Sequence, residues 1–110
     1  MPNFSKNEIV LVRYPFSDLT SSKVRPAVVV NAPHISEDLF VVALTSKTNN
    51  LLLGEFVLAE WKKAGLNVAS AIKRGIFTIK NTLVRTSVGN LEDADAKLLE
   101  SSLRQWLDLP

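Results

Sequence analysis

Short apolar runs rich in β-branched residues, separated by polar stretches of hairpin length, fill the first half of the chain. The first run ends before Pro15, which lacks the N–H group that a central strand donates. The second is entered through Arg25-Pro26, a step that keeps the backbone extended. Runs of this kind predict β-strands, here over 8–14, 26–30, 39–44 and 54–58.

The second half of the chain predicts shorter strands and then a helix. Positions 60–64 before Gly65 predict one helical turn that the glycine ends, and Gly89-Asn90 closes the β part. Between them, strands are predicted over 69–73, 75–79 and 83–88. From 92 to 107, apolar residues recur at helical spacing, namely Ala96, Leu99, Leu103 and Trp106. These patterns predict a mainly β fold, a small barrel of antiparallel strands with a C-terminal helix.

Length and composition indicate one domain over residues 1–110. Of the 110 residues, 46% are hydrophobic, and no compositional break marks a linker. The chain has no cysteine, which excludes disulfides, thiolate metal sites and thiol nucleophiles. No apolar run approaches the roughly 20 residues of a membrane helix, and the N-terminus has no apolar signal segment. We therefore expect a soluble, cytoplasmic protein without a membrane partner.

Charge is distributed unevenly along the chain. Residues 1–90 contain 11 Lys and Arg against 6 Asp and Glu, whereas residues 91–110 contain 2 against 5. A basic body is typical of proteins that bind a phosphate backbone. An ordinary solvated surface explains the same charge equally well, so the argument for a function depends on individual residues.

The order of several short motifs resembles one known family. Glu8-Ile-Val-Leu-Val12, Arg25-Pro-Ala-Val-Val-Val30 and Leu44-Thr45-Ser46 resemble the opening strand, the Arg-Pro-Ala box and the Thr-Ser box of PemK/MazF-type toxins. Further along, Ser70, Ile76-Phe77-Thr78 and Val88-Gly89-Asn90-Leu91 are similar to later motifs of the family. Each motif is common by itself, but together, in order, they extend over nearly the whole chain.

The resemblance implies both a fold and an activity. The fold is an SH3-like barrel, of the PemK and CcdB type, that forms a homodimer and binds a cognate antitoxin. The activity is that of a growth-inhibiting endoribonuclease of a bacterial toxin–antitoxin system, which cleaves single-stranded RNA sequence-selectively. In such enzymes the residues that match Arg25 and Thr45 act on the scissile phosphate. At Phe77 this chain departs from the family, many members of which have an arginine there.

Arg25 and Thr45 suit this chemistry. When the 2′-hydroxyl of RNA attacks the adjacent phosphorus, negative charge builds up on the phosphate oxygens, and a guanidinium donates two aligned hydrogen bonds to them. A threonine hydroxyl adds a donor. If the second and third strands are antiparallel, Arg25 begins one and Thr45 ends the other, at the same end of the sheet. The structural alternative is that Arg25 pairs with Asp18 or Glu8 and that Thr45 forms a strand-end turn.

The acceptor for the proton of the 2′-hydroxyl stays open at this point. Arginine is always protonated, so Arg25 is a poor base. Asp18 in the polar loop and water are the two candidates, and Ser46 is a supporting hydroxyl. His34 is the single histidine, which excludes a pair of histidines that share acid and base roles. Beside Pro33 it is predicted to be an exposed turn residue.

Five residues near the same sheet end are predicted to bind RNA. Basic side chains can follow the phosphate backbone, and an aromatic ring can stack on a base or fill the core. They are Lys23, Lys47, Lys73, Arg74 and Phe77. Solvated charge is the alternative for each basic residue and is the preferred interpretation of Lys62 and Lys63. Trp61 and Trp106 are predicted to be packing residues.

No cofactor and no metal site are predicted, and cleavage is therefore expected to be independent of metal. No group of His, Asp and Glu has the spacing of metal ligands, and no glycine-rich phosphate loop occurs. Two other functions fit the same fold. One is a non-catalytic poison that, like CcdB, binds DNA gyrase through C-terminal residues including a tryptophan, here Trp106. The other is an inactive member that only binds RNA or a partner.

Overall fold

The computed structural model describes residues 4–14, 23–31, 35 and 38–110, with the side chains of Tyr14 and Lys23 excepted. The strands are β1 (Glu8–Tyr14), β2 (Lys23–Val29), β3 (Asp38–Thr45), β4 (Ala71–Ile72), β5 (Phe77–Lys80) and β6 (Val84–Asn90). A short 3-10 helix, Asn81–Leu83, joins β5 to β6, and the helix α1 (Asp93–Trp106) follows. The predicted fold class, mainly β with a C-terminal helix, is confirmed.

All strand pairs are antiparallel, and the sheet has the order β4-β3-β2-β1-β6. The outer edge of β3 is used twice, because Leu44 faces Ile72 of β4 whereas Val41 faces Phe77 of β5. Within the described residues no ladder joins β6 to β4 or β5. The predicted barrel is therefore not closed, although its strands and their directions are as expected. Among the described residues, no helix is long and apolar enough to cross a membrane.

The two faces of the sheet carry separate apolar cores, because successive side chains of a strand point to opposite faces. One core packs against α1 and includes Ile9, Val28, Val42, Leu44, Leu58, Ile72 and Leu99. The other contains Val10, Val12, Ala27, Val29, Leu39, Val41 and Ile79, with Phe4, Leu83 and Val84 packed against it. The continuous apolar runs of β2 and β3 in the sequence reflect this burial on both faces.

The helix α1 follows the amphipathic pattern predicted for 92–107. Leu99 is buried, and Ala96, Leu103 and Trp106 pack against the same core. Trp61 packs there as well, so both tryptophans are packing residues as predicted, and the indole N–H of Trp106 also donates to Leu53 O over 3.0 Å. Lys62 and Lys63 are exposed, as expected.

Asp95 has a role that its place in the first turn of α1 does not reveal. Its side chain is fully buried, and its two oxygens accept the N–H groups of Ala59 and Glu60 over 2.9 and 3.0 Å. These donors start the helical turn predicted over 60–64, in which Ala64 N–H donates to Glu60 O and Gly65 follows with a φ of 99°. A single carboxylate thus joins this turn to α1.

Some of the predicted element boundaries are wrong. The segment 54–58 is not a strand, and Val57 makes only an isolated bridge to Ala71. Its neighbour β4 has two residues instead of the five predicted, so it is too short to form a full ladder with 54–58. In contrast, β6 continues past 88, because Ile9 of β1 pairs with Gly89. Glycine is required there, since an added Cβ would collide with the carbonyl oxygen of Ala64.

Candidate active site

The strand ends that carry Arg25 and Thr45 lie just beyond the last pair of the β2–β3 ladder. Val30 N–H donates to Phe40 O over 2.8 Å, so every second residue of β2, including position 26, turns its backbone nitrogen toward β3. Pro26 has no N–H to donate there. The pairing of β2 with β3 accordingly ends at Ala27 opposite Ala43, although β2 begins at Lys23 and β3 continues to Thr45.

Arg25 and Thr45 are opposite each other across these strand ends. Continuing the register of Ala27 and Ala43 by two residues places Arg25 opposite Thr45. The two side chains share a face of the sheet, because each is two residues from the paired Ala27 and Ala43. The antiparallel pairing on which we predicted their proximity is therefore present.

Arg25 presents an exposed guanidinium, and no ion pair joins it to another residue in the described ranges. Its neighbour in β1 is Val12, four residues from Glu8. The carboxylate of Glu8 accepts hydrogen bonds from Ser5 N–H and Ser87 Oγ–H over 2.9 and 2.7 Å. The structural alternative of an Arg25–Glu8 pair is thus wrong. Asp18, its other proposed partner and a candidate base, lies outside the described residues, as does His34.

Thr45 is partly buried at the end of β3, and its hydroxyl oxygen accepts the N–H of Lys47 over 3.1 Å. This is the strand-end turn expected from the structural interpretation. It does not exclude the chemical one, because a hydroxyl that accepts one hydrogen bond still has its own proton to donate. Ser46 follows, exposed, at the start of the turn.

Two further predicted residues lie on the face of Arg25 and Thr45. Lys73 donates its backbone N–H to Ala43 O over 3.0 Å, which prolongs the β3–β4 register and puts Lys73 beside Ala43. Phe77 lies opposite Val41, and 38% of it is exposed. Positions 45, 43 and 41 of β3 point to one face of the sheet, because successive side chains of a strand alternate between faces. Arg25 and Thr45, Lys73, and Phe77 therefore lie at three successive levels along that face. We call Arg25, Thr45, Lys73 and Phe77 the site face.

The remaining predicted RNA contacts border this face. Lys47 is exposed in the turn after Thr45, and Arg74 is exposed after Lys73. The backbone of Lys23 begins β2, two residues before Arg25, whereas its side chain is outside the described set. Within the described ranges no group of three or more His, Cys, Asp and Glu side chains is arranged to hold a metal ion.

Glu55 is a residue near the site that the sequence did not single out. Its carboxylate accepts the N–H of Arg74 over 2.8 Å and that of Leu52 over 2.7 Å. These two backbone hydrogen bonds, with the charges of Lys73 and Arg74 as lesser causes, lower the pKa of Glu55 below its ordinary value of 4.5. The side chain is therefore ionised at neutral pH, directly beside two of the predicted RNA-binding residues.

Solved structures of other proteins share this fold over nearly their whole length. One is an endoribonuclease in complex with its cognate antitoxin from a mycobacterial species, with 16% identity, 100% of this chain and 98% of the other covered, and a TM-score of 0.76. A Mycobacterium tuberculosis MazF toxin has 19% identity, 94% and 98% coverage, and a TM-score of 0.74. A MazE–MazF structure from Deinococcus radiodurans has 11% identity, 100% coverage of both chains, and a TM-score of 0.77.

The sequence comparison assigns the family. No protein of curated function matches the sequence significantly. The model of the PemK-like, MazF-like toxins of type II toxin–antitoxin systems, however, matches residues 5–107. That range includes every strand, the helix and the whole site face. This chain therefore belongs to the PemK-like, MazF-like toxin family of type II toxin–antitoxin systems.

Proposed function

We propose that the protein is a metal-independent endoribonuclease that cleaves single-stranded RNA, including mRNA, and thereby inhibits growth. The observation that carries this proposal is that Arg25, which is exposed, and Thr45, which is half-buried, lie on one face at the adjoining ends of β2 and β3 in a MazF-like toxin. An arginine fork and a hydroxyl on one face at adjoining strand ends are suited to a phosphate whose charge grows during the reaction.

The proposed reaction is an attack of RNA on itself. The 2′-oxygen forms a bond to the adjacent phosphorus while the bond from phosphorus to the 5′-oxygen breaks, which leaves a 2′,3′-cyclic phosphate and a 5′-hydroxyl. Asp18 or water accepts the proton of the 2′-hydroxyl, and the departing 5′-oxygen takes a proton from water. Arg25 donates two hydrogen bonds to the phosphate oxygens, and Thr45 donates its hydroxyl proton to one of them. Ser46 is a second hydroxyl at the same strand end.

The RNA on either side of the cleaved bond is proposed to run over the site face. Lys73 lies on it, Lys47 and Arg74 border it, and the backbone of Lys23 begins β2 two residues before Arg25, so these are the residues proposed to bind the phosphates. A partly exposed ring such as Phe77 can stack on an unpaired base, which makes single-stranded RNA the better substrate. Substitution of these basic residues is expected to reduce the salt dependence of RNA binding.

The proposed partners follow from the family and its solved relatives. One relative is an endoribonuclease bound to its cognate antitoxin, and another forms a MazE–MazF complex. We propose that this chain likewise binds a cognate antitoxin, acts as a homodimer and works in the bacterial cytoplasm. An acidic segment of the antitoxin would compete with RNA for the same cations.

The gyrase poison receives less support than the ribonuclease. That function depends on a tryptophan near the C-terminus that is available to a partner, but Trp106 packs against the core and donates its indole N–H to Leu53 O. Arg25 and Thr45 would also have no role in it. Absence of RNA cleavage together with inhibition of DNA gyrase in vitro would favour this function instead.

The test is incubation of the purified protein with a long single-stranded RNA in excess EDTA, followed by analysis of the fragment ends. We expect cleavage to continue, with 2′,3′-cyclic phosphate and 5′-hydroxyl ends. The same RNA with 2′-O-methyl groups is the matched control and should stay intact, because it has no nucleophile. A strict requirement for Mg²⁺, or fragments with 5′-phosphates, would contradict the proposed mechanism.

A further inference from the structure

Glu55 connects two loops next to the site face. One carboxylate oxygen accepts the N–H of Arg74 over 2.8 Å, and the other accepts the N–H of Leu52 over 2.7 Å. The backbone N–H of Glu55 also donates to Leu52 O over 2.9 Å, which closes the turn. A single side chain thus fastens the turn before it to the loop that follows β4.

The loop that Glu55 fastens, residues 73–76, leads from β4 to β5 along the edge of β3. Leu44 faces Ile72 but Val41 faces Phe77, so two extra residues are inserted between the two pairings. Lys73 N–H reaches Ala43 O, whereas Arg74 N–H reaches the Glu55 side chain. Successive N–H groups of an extended chain point to opposite sides, so the Arg74 N–H faces the segment that contains Glu55, as does Ile72 N–H, which donates to Phe56 O over 2.9 Å. The Glu55 carboxylate supplies the acceptor for Arg74 on that side.

The negative charge of Glu55 by itself is unfavourable for RNA binding at this position. The carboxylate is ionised at neutral pH and lies beside Lys73 and Arg74, the cations proposed to attract phosphate. A negative charge there repels RNA and offsets part of their attraction. A purely electrostatic view therefore predicts that removing Glu55 improves RNA binding.

We propose that Glu55 is a positioning residue of the ribonuclease, which holds the 73–76 loop so that Lys73 and Arg74 meet the RNA backbone beside Thr45. The hydrogen bond from a backbone N–H to a carboxylate is strong, and a loop fixed before binding loses less conformational entropy when RNA arrives. This inference rests on the proposed function and adds how the RNA-binding loop is shaped.

Glu55→Ala distinguishes positioning from charge because the two effects have opposite signs. Positioning predicts a Kd for a 2′-O-methylated RNA about five- to tenfold higher than that of the wild type. The cleavage rate of saturating RNA should change little, since Arg25 and Thr45 remain. Glu55→Gln keeps one acceptor oxygen, so its Kd should lie between those of the wild type and Glu55→Ala. Glu100→Gln is the control, because it removes the same charge from an exposed site on α1, where Glu100 pairs with Arg104.

Hydrogen exchange of the Arg74 amide gives a readout that does not depend on RNA. We expect protection in the wild type, partial protection in Glu55→Gln and fast exchange in Glu55→Ala. Should Glu55→Ala fail to fold, as judged by circular dichroism, Glu55→Gln carries the same comparison. Unchanged or tighter RNA binding by a folded variant, or an unprotected Arg74 amide in the wild type, would overturn the inference. A wild type that cleaves no RNA would instead refute the proposed function, and the two failures are thus distinct.

Discussion

Arg25 combines a fixed backbone position with an exposed guanidinium. Pro26 ends the β2–β3 ladder beside it, Val12 flanks it in β1, and its guanidinium has no carboxylate partner among the described residues. A guanidinium that neutralises a neighbouring carboxylate would have little capacity left for phosphate. With no ion pair to the described residues, the exposed guanidinium of Arg25 is available to a charge that a substrate brings.

Substitution of Arg25 tests the proposed site most directly. Arg25→Ala should reduce single-turnover cleavage of a short RNA by on the order of a hundredfold or more, about 3 kcal/mol, by analogy with loss of one oxyanion donor. Arg25→Lys should also lose most of the rate, because lysine keeps the charge but not the planar fork. Binding of a 2′-O-methylated RNA should weaken much less. Cleavage at the wild-type rate by folded Arg25→Ala would show that the site is assigned wrongly.

Thr45→Ala is expected to lower the single-turnover cleavage rate less than Arg25→Ala does. A neutral hydroxyl makes a weaker hydrogen bond than a charged group, and the variant also loses the acceptor for Lys47 N–H. Thr45→Ser is the matched control, since it retains the hydroxyl and should retain most of the single-turnover rate. Equal loss in both variants would mean that the methyl group of Thr45, rather than its hydroxyl, matters. Circular dichroism and melting curves must match the wild type in each case.

At the scale of elements, α1 is held to the sheet by polar as well as apolar contacts. Asp95 accepts two backbone N–H groups of the 59–60 segment, and Ser102 Oγ–H donates to Gly54 O over 2.6 Å. Both side chains are buried on the helix face that also carries Leu99. The segment between β3 and β4 contains little regular structure, so these hydrogen bonds replace the ladder that it lacks.

Removal of the Asp95 carboxylate should destabilise the protein. Asp95→Ala leaves two backbone donors without their acceptor, and we expect the free energy of unfolding to fall by about 3 kcal/mol. Urea denaturation followed by circular dichroism measures it. Asp93→Ala is the control, because Asp93 is exposed in the same first turn and contributes only through the helix dipole, about 0.5 kcal/mol. Equal losses in the two variants would contradict the proposed role of Asp95.

At the scale of the whole molecule, we expect a homodimer. The chain is small for a stable single core, and its exposed large apolar side chains include Val24, Phe40, Leu52, Leu53 and Phe77. Sedimentation equilibrium at micromolar concentration should give twice the chain mass of 12.2 kDa. A monomer at that concentration would count against the dimer. That residues 1–110 form one domain also stays a prediction.

The hydrophobic pattern of the sequence determined the strands β1 to β3, the helix α1 and the antiparallel, mainly β class. Each of these depends on local periodicity, which a contiguous segment carries within itself. The position of Arg25 and Thr45 at the same end of the sheet was also predictable, because two consecutive antiparallel strands bring the start of one to the end of the next. The sequence order of the motifs was enough to indicate the family.

Other features were decided only by the tertiary structure. Glu55 and Arg74 are 19 residues apart, and Asp95 and Ala59 are 36 apart, so no local pattern reveals that these carboxylates bind backbone N–H groups. The same holds for Gly89. The sequence predicts that it ends the β part, whereas it lies inside β6, where the absence of a side chain lets the carbonyl oxygen of Ala64 come close. A periodic pattern specifies which face of an element is buried, whereas the partner of a single polar group depends on which distant segment packs there.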